Sequence, residues 1–180
     1  MKKILLCFLS GTILLSCNND KEKPAATGTT DSTAKSTVDL PYTASYSSSF
    51  STDVSDADLK MVLTTYKDWS DGNLSGLENA IADSISVDFN TGDHFNGKKA
   101  DLMKIWKTFR DSLSSVTTDM EGWQKMYSTD KKEGHIVTWY KEIDTYKTGK
   151  VDSAYYHDIN RVKDGKIVWY SQPCTKMLVT

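Results

Sequence analysis

The sequence predicts an α+β domain in which a curved sheet, mostly antiparallel, is covered on one face by helices. Three observations carry that expectation. Apolar residues recur at helical spacing in three segments between Ser55 and Leu113. From there to Gln172 the pattern is that of strands, with alternating apolar and polar positions. Asp164-Gly165 sits between two alternating runs, a strong local hairpin signal because a type I′ turn needs positive φ at both central residues. Helices grouped ahead of a run of antiparallel strands make a two-layer domain.

The elements follow in order. Ser55-Asp56-Ala57-Asp58 resembles a capping box, and Leu59, Val62, Leu63, Tyr66 and Trp69 form one apolar stripe behind it. Asp71-Gly72 stops that helix and Asn73 can cap the next, whose short apolar face is Leu74, Leu77, Ala80 and Ile81. Ile85, Val87 and Phe89 alternate with Ser84, Ser86 and Asp88 as a half-buried strand. Residues 90–97 read as a loop before a third helix with the stripe Leu102, Ile105, Trp106, Phe109 and Leu113. Ser115 to Tyr127 is another strand, with Gly122 as a bulge. The last third is a meander: His135 to Tyr146, a turn near Thr148-Gly149, Val151 to Val162, the Asp164-Gly165 turn, and Lys166 to Gln172.

Length and composition bound the rest. The chain has 180 residues, with 38% hydrophobic, 26% charged and 11% aromatic content and a net charge of -2. That suits one domain plus a tail. No basic block suggests nucleic acid, and no Gly-rich phosphate loop or nucleophile elbow is present. Cys7 and Cys17 lie in the first segment and only Cys174 in the body, so no intrachain disulfide framework is available. His94, His135 and His157 are not spaced with Cys, Asp or Glu as a metal set, and neither a metal nor a cofactor is expected.

The N-terminus reads as an address. Met1-Lys2-Lys3 is a positive start, and Ile4 to Leu15 is apolar but too short to span a bilayer as a helix. It ends in Leu14-Leu15-Ser16-Cys17, which resembles the lipobox of bacterial lipoproteins. The resemblance implies cleavage before Cys17 and lipidation of Cys17, giving stable membrane anchoring through several acyl chains. An ordinary secretory signal with an incidental cysteine is the alternative. Asn18-Asn19 stand where an inner-membrane retention signal would carry Asp, so the outer membrane is the expected destination in the cell envelope. The expected organisation is a signal peptide at 1–16, lipidated Cys17 and a disordered tether at 17–52, and the folded domain at 53–180. Tyr42, Tyr46 and Phe50 interrupt the tether and are expected to dock loosely on the domain.

Several stretches resemble nuclear transport factor two-like domains. Residues 66–77, from Tyr66-Lys-Asp-Trp to Leu77, are similar to the family's helix-turn-helix opening. Ala82-Asp83-Ser84-Ile85-Ser86-Val87 resembles its lead into the first strand, and Phe95-x-Gly97 and Asp164-Gly165-Lys166-Ile167-Val168 fit later positions. Within the superfamily the chain is most similar to the SnoaL-like branch. The resemblance implies a cone-shaped sheet wrapped around the helices with a pocket at its open end. Members include isomerases, cyclases and dehydratases as well as binding modules, so the fold leaves function open.

Isomerase-like members use a carboxylate base after the first strand and an oxyanion hole of a helix-one Tyr and a protonated late-strand Asp. A gapless alignment puts Phe89 at the base position and Thr65 at the Tyr position, with Tyr66 one residue away. Only Asp158 matches. Two-residue turns at Asp164-Gly165 and Thr148-Gly149 would pair Asn160 with Trp169, Trp139 with Asp158 and Lys141 with Tyr156. The inner face then carries Val137, Trp139, Lys141, Ile143, Ala154, Tyr156, Asp158, Asn160, Val162, Ile167 and Trp169. One extra residue in the second turn would flip its partner strand. The expected pocket is thus Trp139, Lys141, Tyr156, Asp158, Asn160, Trp169, Phe89 and Tyr66, with His94 in the loop at its mouth. A half-buried Lys141–Asp158 pair is either a ligand-binding element or a structural ion pair.

With the catalytic set incomplete, the expected function is binding of a small apolar ligand or a protein partner. A homodimer through the outer sheet face, where Tyr140, Tyr155 and Tyr170 are expected, accompanies that reading. The rival is an isomerase, cyclase or dehydratase using Asp158 with His94 or Lys141.

Overall fold

The computed structural model describes residues 39–176, with side chains described as far as Pro173. The leader, Cys17 and the tether up to residue 38 lie outside the described residues. A compact unit begins at Tyr42.

Helix α1 (Asp56–Asp71) starts on the expected cap: the Ser55 hydroxyl oxygen accepts from the Asp58 backbone N–H at 3.0 Å. It ends at Gly72 in the left-handed region (φ 74°), whose N–H bonds the Asp68 and Trp69 carbonyls. Asn73 caps α2 (Leu74–Ala80) by accepting from the Gly76 N–H. Strand β2 (Ile81–Asp88) follows at once, then β3 (His94–Lys98) and α3 (Lys99–Ser112). The stretch 90–97, expected as a loop, is therefore only half loop: Asp88 pairs with His94 and Ser84 with Lys98 in an antiparallel hairpin. The long strands β4 (Leu113–Ser128), β5 (Glu133–Tyr146) and β6 (Val151–Lys163) form the body of the sheet. Then come β7 (Lys166–Ser171) and a short β8 (Cys174–Lys176), which extends the β6 edge beyond β7 and was not expected.

Ahead of α1, β1 (Phe50–Ser51) pairs with the end of β4. Upstream of it the Tyr46 hydroxyl bonds Glu133, and the ring meets His135 edge-on at 6.2 Å. Ordered contacts with the sheet thus start before residue 53.

The strand order is β1-β4-β5-β6-β7-β2-β3 in one open, mixed sheet, with β2 parallel to β7 and the other pairs antiparallel. Register shifts at Met120/Gly122, Arg161/Val162 and Ile81/Ser86 mark where it bends. The first lies at the expected Gly122 bulge. The helices cover the concave side. Val62 of α1, Leu102 of α3, Val87 of β2 and Ile136 of β5 meet there with no exposure.

The meander holds both the main agreement and the main correction. Asp164 (φ 51°) and Gly165 (φ 68°) make the expected turn, and Lys163 pairs with Lys166 and Val162 with Ile167. The bulge then slips β7 by one residue, so Asn160 pairs with Tyr170 and Trp169 with Arg161. At the other turn the Tyr146 N–H donates to the Lys150 carbonyl at 2.8 Å, leaving Lys147, Thr148 and Gly149 (φ 86°) as the loop. A loop one residue longer than expected moves β5 by one position. Thr138 pairs with Asp158, Tyr140 with Tyr156 and Glu142 with Ala154. The inner face of β5 is therefore Ile136, Thr138, Tyr140, Glu142 and Asp144, all buried. Val137, Trp139, Lys141 and Ile143 lie on the outer face, and Trp139 pairs with His157. The β6 residues Ala154, Tyr156, Asp158, Asn160 and Val162 face inward as expected.

Leu102 and Ile105 give the core a direct test, because they sit on one helix with opposite exposure, none against 45%. Leu102→Ala should cost about 2–5 kcal/mol and Ile105→Ala roughly 1 kcal/mol or less in urea unfolding. Equal losses would contradict the described seating of α3.

Candidate functional site

Between the helices and the concave face lies a cavity of about 530 Å³. Its wall is aromatic, from Trp69 of α1, Trp106 and Phe109 of α3, and Phe89 and Phe95 at and after the end of β2. Trp69 and Phe109 are nearly parallel at 6.1 Å, and Trp106 meets Tyr170 edge-on at 6.3 Å. The helical stripes that predicted α1 and α3 supply this wall, since Trp69, Ile105, Trp106 and Phe109 extend past the dry core to the opening.

At the base of the cavity the polar side chains bond one another. One carboxylate oxygen of Asp158 accepts from the hydroxyls of Tyr66 (3.0 Å), Tyr140 (2.8 Å) and Tyr170 (2.8 Å). The Tyr66 oxygen also accepts from the Asn160 amide (3.0 Å) and lies 2.8 Å from the Thr138 hydroxyl. The Gln172 amide donates to the Tyr140 oxygen at 2.9 Å. Four elements meet in this network: α1, β5, β6 and β7. Asp158 has no exposure, and its second oxygen, Oδ1, is buried without a partner. Burial pushes its carboxyl up to about 7, although the three phenol hydroxyls pull the other way. The same burial, with the Asp158 charge, holds Tyr66, Tyr140 and Tyr170 well above the usual phenol range, so they stay donors.

Along the β5 wall next to Tyr140 come Glu142 and Asp144, both lining the cavity. Burial raises Glu142 to about 8, helped by the neighbouring charges of Asp144 and Asp158 and opposed by Arg110 and a hydrogen bond from Trp69. Asp144 rises to about 6 through burial and Asp152, again opposed by Arg110. In the unfolded chain these groups titrate near 4.5 for Glu142 and 3.8 for Asp144 and Asp158. A carboxyl raised by folding binds its proton more tightly in the native state. Its contribution to stability is full in acid and is lost as pH rises through the folded value. The three side chains therefore favour the fold below about pH 4 and progressively less through about 6, 7 and 8.

At the mouth His94 Nδ1 lies 2.7 Å from Asp88, whose other oxygen accepts from the Trp169 indole at 3.0 Å. This arrangement comes from the β2–β3 hairpin, where Asp88 and His94 are direct partners.

Of the residues expected to form the pocket, Tyr66, Phe89, Tyr156 and Asn160 line the cavity, and His94 lies at its rim as expected. Asp158 lies behind the lining tyrosines, closed off from the space itself. Trp139 and Lys141 are corrected to the outer face, where the Lys141 ammonium stands 5.9 Å from the Tyr155 ring centre. No Lys141–Asp158 pair forms. Trp169, shifted by the β7 bulge, braces Asp88 and does not line the cavity. Tyr140 and Tyr170, expected outside, point in. Glu142 and Asp144 were missed for the same reason as Tyr140: the loop at Gly149 decides which face all of them share. Among the described residues no His, Cys, Asp or Glu cluster could hold a metal ion.

No protein-family model matches the sequence, and no curated protein matches it. Solved structures do match. The chain is similar to an LEH-like epoxide hydrolase from M. tuberculosis, with a TM-score of 0.56 and 8% identity over 66% of this chain and 83% of that one. AusH from Aspergillus nidulans gives 0.56 and 11% over 69% and 88%. A nuclear transport factor two-like protein of unknown function from Exiguobacterium sp. 255-15 gives 0.53 and 20% over 64% and 98%. At such identities the likeness speaks for architecture and leaves chemistry open. The open mixed sheet curved over helices has the nuclear transport factor two-like fold, as the resemblance implied.

Proposed function

We propose that the chain is a lipid-anchored cell-envelope protein whose domain binds a small, largely apolar molecule in the aromatic cavity without transforming it. The observation that carries this reading is the closure of the polar network. Three tyrosine hydroxyls, one amide and one carboxyl that could have faced a substrate are bonded to each other instead. A phenol that already donates to Asp158 has no proton left for a developing oxyanion. At the position where isomerase-like relatives would carry the base stands Phe89, in the cavity wall. A cavity of about 530 Å³ lined mainly by aromatic and aliphatic side chains has the size and character of a small-molecule site.

The membrane part of the proposal rests on the N-terminal sequence alone, with its positive start, apolar run and Leu14-Leu15-Ser16-Cys17. The outer membrane is the favoured destination because Asn18, not Asp, follows Cys17. A homodimer through the outer sheet face remains part of the proposal, with its surface revised. Trp139, Ile143, Tyr155 and Ile159, each partly exposed, now form that face in place of Tyr140 and Tyr170.

One observation favours a second reading, an acid–base enzyme of isomerase, cyclase or dehydratase type acting on a hydrophobic substrate. Glu142 and Asp144 line the same wall with their carboxyls raised to about 8 and about 6, a spread suited to an acid and a base. Turnover abolished by Glu142→Gln in a folded protein would favour it.

Two measurements test the primary reading. Nile red, a neutral apolar dye, should bind the purified protein saturably, and Trp106→Ala should weaken it by roughly tenfold through lost wall contact. Absence of saturable binding would overturn the cavity as a ligand site. Expressed in a bacterium with the complete leader, the chain should sediment with membranes, and Cys17→Ser should release it to the soluble fraction. Membrane association that survives Cys17→Ser would contradict lipid anchoring.

A further inference from the structure

We propose that the occupant of the cavity is an organic cation, an apolar body carrying a positively charged nitrogen seated against Glu142 and Asp144. This rests on the binding reading above and adds the charge of the ligand.

Both carboxyls line the cavity, and both are more than nine-tenths buried, at 7% and 8% exposure. Asp144 Oδ1 is buried with no hydrogen-bond partner. Among the described ion pairs none includes either residue. The charged groups facing them do not balance. Glu142 faces Asp144 on its own strand, Asp158 on β6 and Arg110 on α3, while Asp144 faces Asp152 on β6 and the same Arg110. Arg110 is the one cation of this set; it donates to the Trp69 and Ser70 carbonyls at 3.0 Å each, acts on both acids through its charge, and makes none of the described ion pairs with them. The cavity lining contains no lysine or arginine; at the mouth stand a further acid, Asp93, and His94, which is paired with Asp88.

A buried acidic wall in a low-dielectric space attracts a cation and repels an anion. The rings of Trp69, Phe109 and Trp106 line the same cavity, and aromatic rings attract a cation that lies over them. A neutral apolar guest would fill the space but leave Asp144 Oδ1 as it is. A carbonyl guest could accept a proton from neutral Glu142, and it is distinguished by pH. Deprotonation of Glu142 strengthens a cation and weakens a carbonyl. Cation affinity should therefore rise with pH through the Glu142 and Asp144 titrations, and carbonyl affinity should fall.

The test is displacement of Nile red from the full chain by three probes: benzyltrimethylammonium, its uncharged isostere neopentylbenzene, and phenylacetone. Benzyltrimethylammonium should bind at least about tenfold tighter than the isostere. It should also tighten about tenfold between about pH 6 and about pH 8.5. Glu142→Gln with Asp144→Asn should erase the preference, read as the ratio of benzyltrimethylammonium to neopentylbenzene affinity. Should that double variant fail to fold, the pH series on the unaltered chain decides alone. Equal or tighter binding of neopentylbenzene or phenylacetone, or a cation affinity flat in pH, overturns the inference and leaves the binding reading standing. Failure of Nile red to bind the unaltered chain overturns both.

Discussion

Asp158 is the point on which the interior turns. It is a carboxyl with no access to water, on the central strand β6, and it accepts from tyrosines on α1, β5 and β7. A buried hydroxyl left without a partner costs roughly 1–3 kcal/mol, so each of the three tyrosines is held to Asp158. These bonds tie the first helix to the concave face and fix how far apart the two layers stand. Polar contacts also specify geometry in a way that apolar contacts do not, because a tyrosine displaced by an ångström loses its bond while a leucine merely repacks. The cavity beside this network stays open because its base is held by directed bonds and its wall by aromatic rings too large to collapse into it.

The same network shapes the chemistry. With Asp158 sealed behind Tyr66, Tyr140 and Tyr170, the acids left in contact with the cavity are those along β5 and at the mouth. Glu142 feels Asp144 and Asp158, Asp144 feels Asp152, and Arg110 opposes both, joined at Glu142 by a hydrogen bond from Trp69. With Glu142 at about 8 and Asp158 at about 7, such an interior holds protons at neutral pH, and the proposed cation would exchange with them. Binding, proton release and stability are thus coupled through a few side chains, and acid conditions favour the empty fold.

Much of the architecture was legible in the residues, because the signals were local and redundant. The Ser55 cap, the Gly72 stop, the Asp164-Gly165 turn and the stripe of α1 each need only neighbours in sequence, and each is where the pattern put it; the stripe of α3 holds as far as Phe109, while Leu113 opens β4. The candidate site was legible only in part, because side-chain direction in a strand has period two and a single inserted residue inverts it. Lys147-Thr148-Gly149 closes a hairpin one residue longer than a two-residue turn would, and that unit exchanged Trp139 and Lys141 for Tyr140, Glu142 and Asp144. The β7 bulge did the same to Trp169 and Tyr170. A bulge leaves little trace in the sequence, and Val168 looks like any strand residue. Tyr66 was among the expected pocket residues, one residue from the position the resemblance assigned, and it lines the cavity. Its role follows from the turn of α1 that carries it over β5 and β6.

The account stands most directly on the ionisation of one group. Carboxyl carbon-13 NMR of the folded protein, with Asp158→Asn to assign the resonance, measures it across the pH range. Burial beneath three tyrosines predicts a midpoint near 7 for Asp158, with no sign of ionisation below pH 5. A midpoint at or below the ordinary value of 3.8 would mean that water or the hydroxyl donors outweigh burial, and the dry, sealed setting described for Asp158 would be wrong.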